Sequence, residues 1–331
     1  YGTQQKRNLT SSVASVSAKT LTESPVTSLE QALEGKMAGV QVTPATGAPS
    51  GAVVVNIRGT SSISAGNEPL YVVDGLPILS QDISQKGGYQ GNSLSGIADI
   101  NPNDIESVEV LKDASASALY GSRASNGVVL ITTKQGRRGR TRVTLDSYIG
   151  VQDMWKTIDL LDADSHVAAY NEAIDNYNTS LGLSAGDAAF KQHIAANNQG
   201  ANTDWLGAVT RSALQTSHQL SISGGNDRTL FYVSGGFYDQ QGVIRQTEFK
   251  RYNLRTNLTH QLKSKLRVDA NIALSSSDNT RSTGDGNIYS PWVNALKAGP
   301  DYAIYAADGS YNGVNPGLYN PLELIDGQEQ T

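Results

Sequence analysis

The side chains best suited to meeting a ligand in this sequence are rings rather than catalysts. Trp155, Trp205, Trp292 and Tyr305 sit in segments that read as loops, as do Tyr170, Tyr177, Tyr289, Tyr302, Tyr311 and Tyr319. Tyr and Trp offer a flat apolar face to the C–H side of a sugar and a polar handle to its hydroxyls. The same rings also suit loop packing or the aromatic girdle of a membrane barrel, and Trp155 and Tyr238, placed at strand ends, fit the girdle. The four histidines, His166, His193, His218 and His260, are scattered, with no HExxH or paired-ligand spacing. No metal is therefore expected. Lys36 follows Gly35 but precedes Met37, so the phosphate-cradling lysine motif is absent. No GxSxG turn appears, and the acidic stretch Asp159–Asp164 lacks calcium-loop spacing. The reading is no enzyme and no cofactor, with binding and gating left.

Composition narrows the class. The chain has 331 residues, enough for two domains by length, and a net charge of −5 without long charge runs, which argues against nucleic acid. Hydrophobic residues make up 38%, with 33 glycines and 15 Tyr against 4 Phe. A β-barrel has this composition because only alternate residues meet lipid, though a loop-rich soluble β protein shares it. The absence of cysteine removes disulfides and thiol chemistry. No run of about 18 apolar residues is present, so no helical membrane span is expected.

Two regions must position these residues. In the first, Ser12–Val16 has weak strand character, and Pro25–Gly39 reads as a helix capped by Ser28 with Leu29, Leu33 and Met37 on one face. Val40–Thr43 is a short strand, and Val53–Arg58 reads as a strand buried on both faces. Asp74-Gly75 between PLYVV and LPI is a strong hairpin signal. Ser80–Ser95 reads as a surface loop, Ile105–Asp113 as a strand, Ala114–Tyr120 as a short helix and Val128–Thr133 as a strand. The basic turn Gln135–Thr141 reads as a linker.

From Arg142 the period becomes two. Val143, Leu145, Ile149 and Val151 alternate with Thr144, Asp146, Tyr148 and Gly150, and four later runs around 220–223, 231–238, 252–258 and 266–274 repeat the pattern. Each is about ten residues, the length a tilted strand needs to cross a bilayer. Short connections at Gly224–Arg228 and Lys263-Ser264 alternate with long ones at Asp153–Leu214, Asp239–Lys250 and from Ser276 onward. That alternation favours a barrel over a sandwich. Five strands cannot close, so a truncated chain is expected. A helix is expected in the first long loop, over Leu160–Asn178, with Val167, Tyr170, Ile174 and Tyr177 on one side.

The strings LEQALEGKMAGVQV, IRGTSS, PLYVVDGLPI and DIESVEVLKDASASALYGSRASNGVVLITTKQG closely resemble the plug domain of TonB-dependent outer-membrane transporters, in their SusC-like branch. The resemblance is dense over roughly residues 1–136. It implies a mixed α/β plug domain (1–136) inside an antiparallel transmembrane β-barrel, of which 137–331 would hold the first part, about five strands, with long extracellular loops. It implies TonB-dependent active import of oligosaccharides across the bacterial outer membrane, with peptide and siderophore cargo as alternatives. The implied partners are a SusD-like lipoprotein lid and TonB with ExbB and ExbD, with a dimer of transporter–lid pairs left open. The TonB-box segment would precede Tyr1. In this family two plug loops floor the ligand site, which makes Thr46, Ser50, Gln85, Tyr89 and Asn92 contact candidates; plain plug surface is the competing reading. Plug arginines in the family pair with barrel carboxylates, which points to Arg58 and Arg123. Arg58-Gly59, Asp74-Gly75, Tyr120-Gly121 and Arg123 to Gly127 carry the motif positions. A passive pore, a soluble β-rich glycan-binding module and a hydrolase are the competing functions.

Overall fold

The computed structural model describes residues 13–22, 28–44, 46–51, 53–59, 67–78, 97, 99–112, 120–194, 200–282, 288–314 and 317–327. These form two compact units. The first holds everything up to Val151 together with Leu214–Gln241 and Glu248–Thr280; the second holds Gln152–Ala213, Gly242–Thr247 and Arg281 onward.

In the first unit a small mixed sheet runs in the order β1 (Val13–Ser17), β6 (Ile105–Leu111), β7 (Val128–Thr133), β4 (Leu70–Val73), β5 (Leu76–Ile78). Only the β4–β7 pair is parallel. Asp74 and Gly75 turn β4 into β5 with φ of 49° and 87°, the left-handed pair that a two-residue hairpin needs. β2 (Val40–Pro44) and β3 (Val53–Ile57) form a separate two-stranded ribbon. Two short helices, α1 (Ala18–Leu21) and α2 (Leu29–Leu33), close the core, in which Leu21, Leu29, Leu33, Ile105, Val108 and Ile131 are fully covered.

Two expectations shift here. Ser28 does cap the helix, its hydroxyl accepting from Gln31 N at 3.3 Å, but the helix ends at Leu33. Gly35 and Gly39 follow at positive φ, and Met37 enters the core from an irregular turn. β3 is buried on alternate residues only: Val53, Val55 and Ile57 lie on a covered face, while Val54 on the other face is exposed. The loop expected over Ser80–Ser95 and most of the helix expected over Ala114–Tyr120 lie outside the described residues.

The large sheet is five antiparallel strands in sequence order: β8 (Gly139–Gln152), β9 (Ala213–Gly225), β10 (Thr229–Gln241), β11 (Glu248–Lys263) and β12 (Leu266–Thr280). At about 3.3 Å per residue the strands reach roughly 45 Å, enough to cross a bilayer when tilted. Their polarity is inverted relative to a soluble sheet. Gln215, Ser217, Gln219, Ser234, Arg251 and Asn257 are buried, while Val143, Leu145, Ile149, Leu254, Ile272 and Leu274 are exposed. The strands are longer than their alternation suggested. The connection expected to be long at Asp239–Lys250 is only Gly242–Thr247, since β10 and β11 pair through Gln241↔Glu248.

The second unit carries α3 (Ala163–Ser180), α4 (Trp205–Val209), α5 (Pro291–Lys297) and α6 (Pro321–Gly327). Asp162 caps α3 by accepting from Ser165 N at 2.8 Å, and these hydrogen bonds hold its carboxyl below the usual range. Val167 and Ile174 are buried, but Tyr170 and Tyr177 are exposed, so the helical stripe is narrower than expected. The three short helices pack around Trp205, whose indole N–H donates to Gly299 O at 2.9 Å. No helix among the described residues is long and apolar enough to cross a membrane.

Candidate functional site: the contact between the two sheets

Within the first unit the small sheet rests on the polar face of the large one. The entry to β6 starts this contact. Asn101, Pro102, Asn103 and Asp104 make one 3-10 turn, with Asn101 Oδ1 accepting from Asn103 N at 3.0 Å. The turn aims the Asp104 carboxylate, 3% exposed, at strands β9 to β11. Its Oδ1 accepts from Gln219 Nε2 (2.6 Å), Ser234 Oγ (2.6 Å) and Tyr232 OH (2.9 Å), and its Oδ2 accepts from Asn253 Nδ2 at 3.3 Å. Asn101 Nδ2 donates to Gln219 Oε1 (2.7 Å) and Asn253 Oδ1 (3.1 Å). Four side-chain donors from three strands thus converge on one buried carboxylate. Buried Arg251 lies on β11, its guanidinium 5.5 Å from the Tyr238 ring centre.

A second cluster lies at the β4–β5 turn. Asp74 accepts from Thr133 N (2.9 Å) and from Thr133 Oγ1 (2.7 Å), which ties the turn to the end of β7. Thr133 Oγ1 in turn accepts from Asn257 Nδ2 (3.1 Å) and Arg255 Nη1 (3.3 Å) on β11. Arg255 Nη1 stands 3.6 Å from Asp74 Oδ2, with both side chains largely covered. Asn257 Nδ2 also donates to Lys134 O at 2.7 Å. Gly136 then crosses β10 so closely that a Cβ there would overlap the backbone N and O of Phe231. A cavity of about 530 Å³ opens beside the turn, lined by Asp74, Tyr120, Gln135, Thr259, Arg267 and Asn271 among others. Behind this face, burial pushes the Tyr71 phenol well up, and Glu30 and Glu68 add to the effect.

The residues singled out from sequence fall in different places. Asp74 lies in the contact, and Gly75 completes its turn. Ser50 is buried and its hydroxyl accepts from Asn279 Nδ2 on β12 at 2.6 Å; Thr46 is half-buried and accepts from Ala48 N at 3.0 Å. Gln85, Tyr89 and Asn92 lie outside the described residues. Arg58 (φ 62°) and Arg123 are exposed, and Gly59, Gly121 and Gly127 take positive φ at their turns. Tyr120 packs against the cluster of Val72, Leu111 and Val128. An ion pair bridges the sheets with its carboxylate, Asp74, on the small sheet and its arginine, Arg255, on β11. Trp205 is fully buried in the core of the short helices; Trp292 is half-buried against the same core. Trp155 is exposed, and Tyr305 is half-exposed, 5.3 Å from the Tyr311 ring. Tyr238, expected in an outer girdle, points inward and accepts from Gln215 Nε2 at 2.9 Å. Asn101, Asp104, Thr133, Gln219, Arg255 and Asn257 were missed. The signal available was the run Gln215, Ser217, Gln219, Ser221, whose period-two polarity marks an inward face.

A small α/β domain docked by hydrogen bonds on the polar face of long antiparallel strands, with apolar residues on the other face, defines a plugged β-barrel protein. Residues 5–128 match the TonB-dependent receptor plug domain. The TonB-dependent receptor P3 of Formosa agariphila is 36% identical over 336 residues, covering 98% of this chain and 30% of that protein. The TonB-dependent receptor SusC of Bacteroides thetaiotaomicron is 37% identical over 260 residues, 78% of this chain and 24% of that one. The RagAB peptide importer in its open-open state superposes with a TM-score of 0.74 at 30% identity, over 94% of this chain and 36% of the solved one. The chain belongs to the SusC-like TonB-dependent transporters, a family of outer-membrane proteins, and spans about 30% of the length of the curated relatives it matches.

Proposed function

We propose that the protein imports oligosaccharides across the bacterial outer membrane by TonB-dependent active transport. Residues 1–136 act as the plug domain, and 137–331 supply the first part of the barrel with its outer loops. A SusD-like lipoprotein covers the outer face, and TonB, with ExbB and ExbD, pulls from the periplasm. The observation that carries the reading is the chemistry of the plug–strand contact, which is buried yet almost entirely polar. Gln219, Tyr232, Ser234 and Asn253 meet Asp104, and Arg255 and Asn257 meet Thr133. A hydrogen-bonded contact exchanges its partners for water at a net difference of only about 0.5–1.5 kcal/mol per bond, so a pulled plug can leave and return. An apolar joint of the same area would hold it permanently.

Sugar cargo is supported by paired rings in the second unit, the exposed Tyr289 with the exposed Tyr319 at 5.0 Å and the exposed Tyr305 with the half-buried Tyr311 at 5.3 Å. Peptide cargo is the second reading, favoured by the likeness to the RagAB peptide importer. Uptake of labelled oligosaccharides and peptides by cells carrying the full-length transporter, with and without TonB, tests both. TonB-dependent sugar uptake is the expected result. Peptide uptake alone replaces the cargo, and uptake that persists without TonB overturns the energised mechanism.

A further inference from the structure

The two ends of the large sheet differ in charge. At one end lie the plug-to-strand connection and the two tight turns: Arg137, Arg138 and Arg140, then Arg228 between β9 and β10, then Lys263, Lys265 and Arg267 around the β11–β12 turn. All seven are exposed. Arg137 pairs with Glu106, Arg138 with Asp227 at 3.1 Å and Arg267 with Asp269 at 2.8 Å. Among the described residues no carboxylate pairs with Arg140, Arg228, Lys263 or Lys265. The opposite end is mixed, with Asp239, Glu248 and Asp278 beside Lys250, Arg251 and Arg281. Asp239 faces Lys250 across the β10–β11 ladder, Lys250 faces Asp278 across the next, and Glu248 sits two residues from Lys250.

The basic end also carries apolar residues on the outer face. The turn reads Leu262, Lys263, Ser264, Lys265, Leu266, and Leu262 (56% exposed), Leu266 (50%) and Val268 (44%) flank the lysines. Leucines beside lysines at the end of an apolar band suit a bilayer boundary: the alkyl groups stay in hydrocarbon while the ammonium groups reach the phosphates.

We propose that this end of the sheet is a binding surface for anionic phospholipid headgroups, with Lys263, Lys265, Arg138 and Arg140 on the phosphates. The inference rests on the outer-membrane reading above. In that topology the short turns face the periplasm, so the leaflet they meet is the phospholipid one. A preference for anionic lipid there fixes the depth and tilt of the strands that hold the plug.

The test uses the full-length protein containing this chain, in nanodiscs of phosphatidylcholine with a minor fraction of phosphatidylglycerol. Native mass spectrometry after partial delipidation reads the lipids retained. Phosphatidylglycerol should be retained in excess of its share of the disc. The variant Arg138→Gln/Arg140→Gln/Lys263→Ser/Lys265→Ser should lose that excess by at least about tenfold. Lys250→Ser, at the other end, should leave it unchanged. Equal retention of the two lipids, or an excess that survives the fourfold variant, overturns the inference while leaving the transporter reading intact. A protein that stays monodisperse without detergent and enters no disc overturns both.

Discussion

The phenol of Tyr232 donates to the Asp104 carboxylate at 2.9 Å across 128 residues of sequence. One residue belongs to the plug and the other to the first hairpin of the strands around it. Asp104 also takes hydrogens from Gln219, Ser234 and Asn253. Replacing it by Ala strands those buried donors. Asp104→Ala should therefore destabilise plug docking by at least about 3 kcal/mol. Limited proteolysis of the purified protein should show the plug cut first, with the barrel intact.

Asp74 and Arg255 carry an ion pair between plug and strands. At 3.6 Å and mediated by Thr133, the pair is weaker than a bidentate contact. A double-mutant cycle with Asp74→Ala and Arg255→Ala should give a coupling of about 0.5–3 kcal/mol in the thermal stability of docking. Strict additivity would show the two charges to be independent.

Gly136 has no room for a side chain against Phe231. Gly136→Ala must push the connection off β10, and overpacking of this kind costs about 1–3 kcal/mol. The expected readout is a lower yield of heat-modifiable barrel on semi-native gels, with no comparable effect from Gly150→Ala, which has open space around its Cβ position.

The Tyr71 phenol keeps its proton to higher pH in the fold than in the unfolded chain, because burial and the Glu30 and Glu68 charges oppose the phenolate. Its contribution is fully present below the unfolded value of about 10 and is lost as pH rises beyond it. Thermal midpoints should fall from about pH 10 upward. Tyr71→Phe should flatten that fall while leaving neutral-pH stability nearly unchanged. An identical alkaline slope in the variant would assign the loss to other groups.

Local chemistry made part of this fold legible in the sequence. The Asp74-Gly75 turn needs two left-handed residues in a row, and few other pairs tolerate them. Val143, Leu145 and Ile149 announced a face for lipid by alternation alone. The strand ends were less legible, because Asp239, Gln240 and Gln241 are polar on both faces, and only the ladder to Glu248, Phe249 and Lys250 shows that β10 continues. The helix after Pro25 was overestimated, since Met37 keeps helical spacing while Gly35 turns the chain away. The docking residues were hidden for a different reason. Asp104 reads as the start of a strand, and its partners lie 115 to 149 positions away. Trp205 shows the converse, a ring whose type suggests a ligand and whose neighbours make it core.

The central claim is that the plug is held on the polar face of the first strands by contacts that must open for passage. This region contains no cysteine, so a designed pair is unambiguous once any cysteine elsewhere in the full-length protein has been replaced. Asn101→Cys/Gln219→Cys, placed in the full-length transporter and joined by a short bifunctional thiol reagent, closes the contact seen between those side chains at 2.7 Å. Uptake should stop on cross-linking while substrate binding at the cell surface persists, and the uptake of each single-cysteine variant should be the same with and without the reagent. Undiminished uptake through a fully cross-linked transporter would contradict the account.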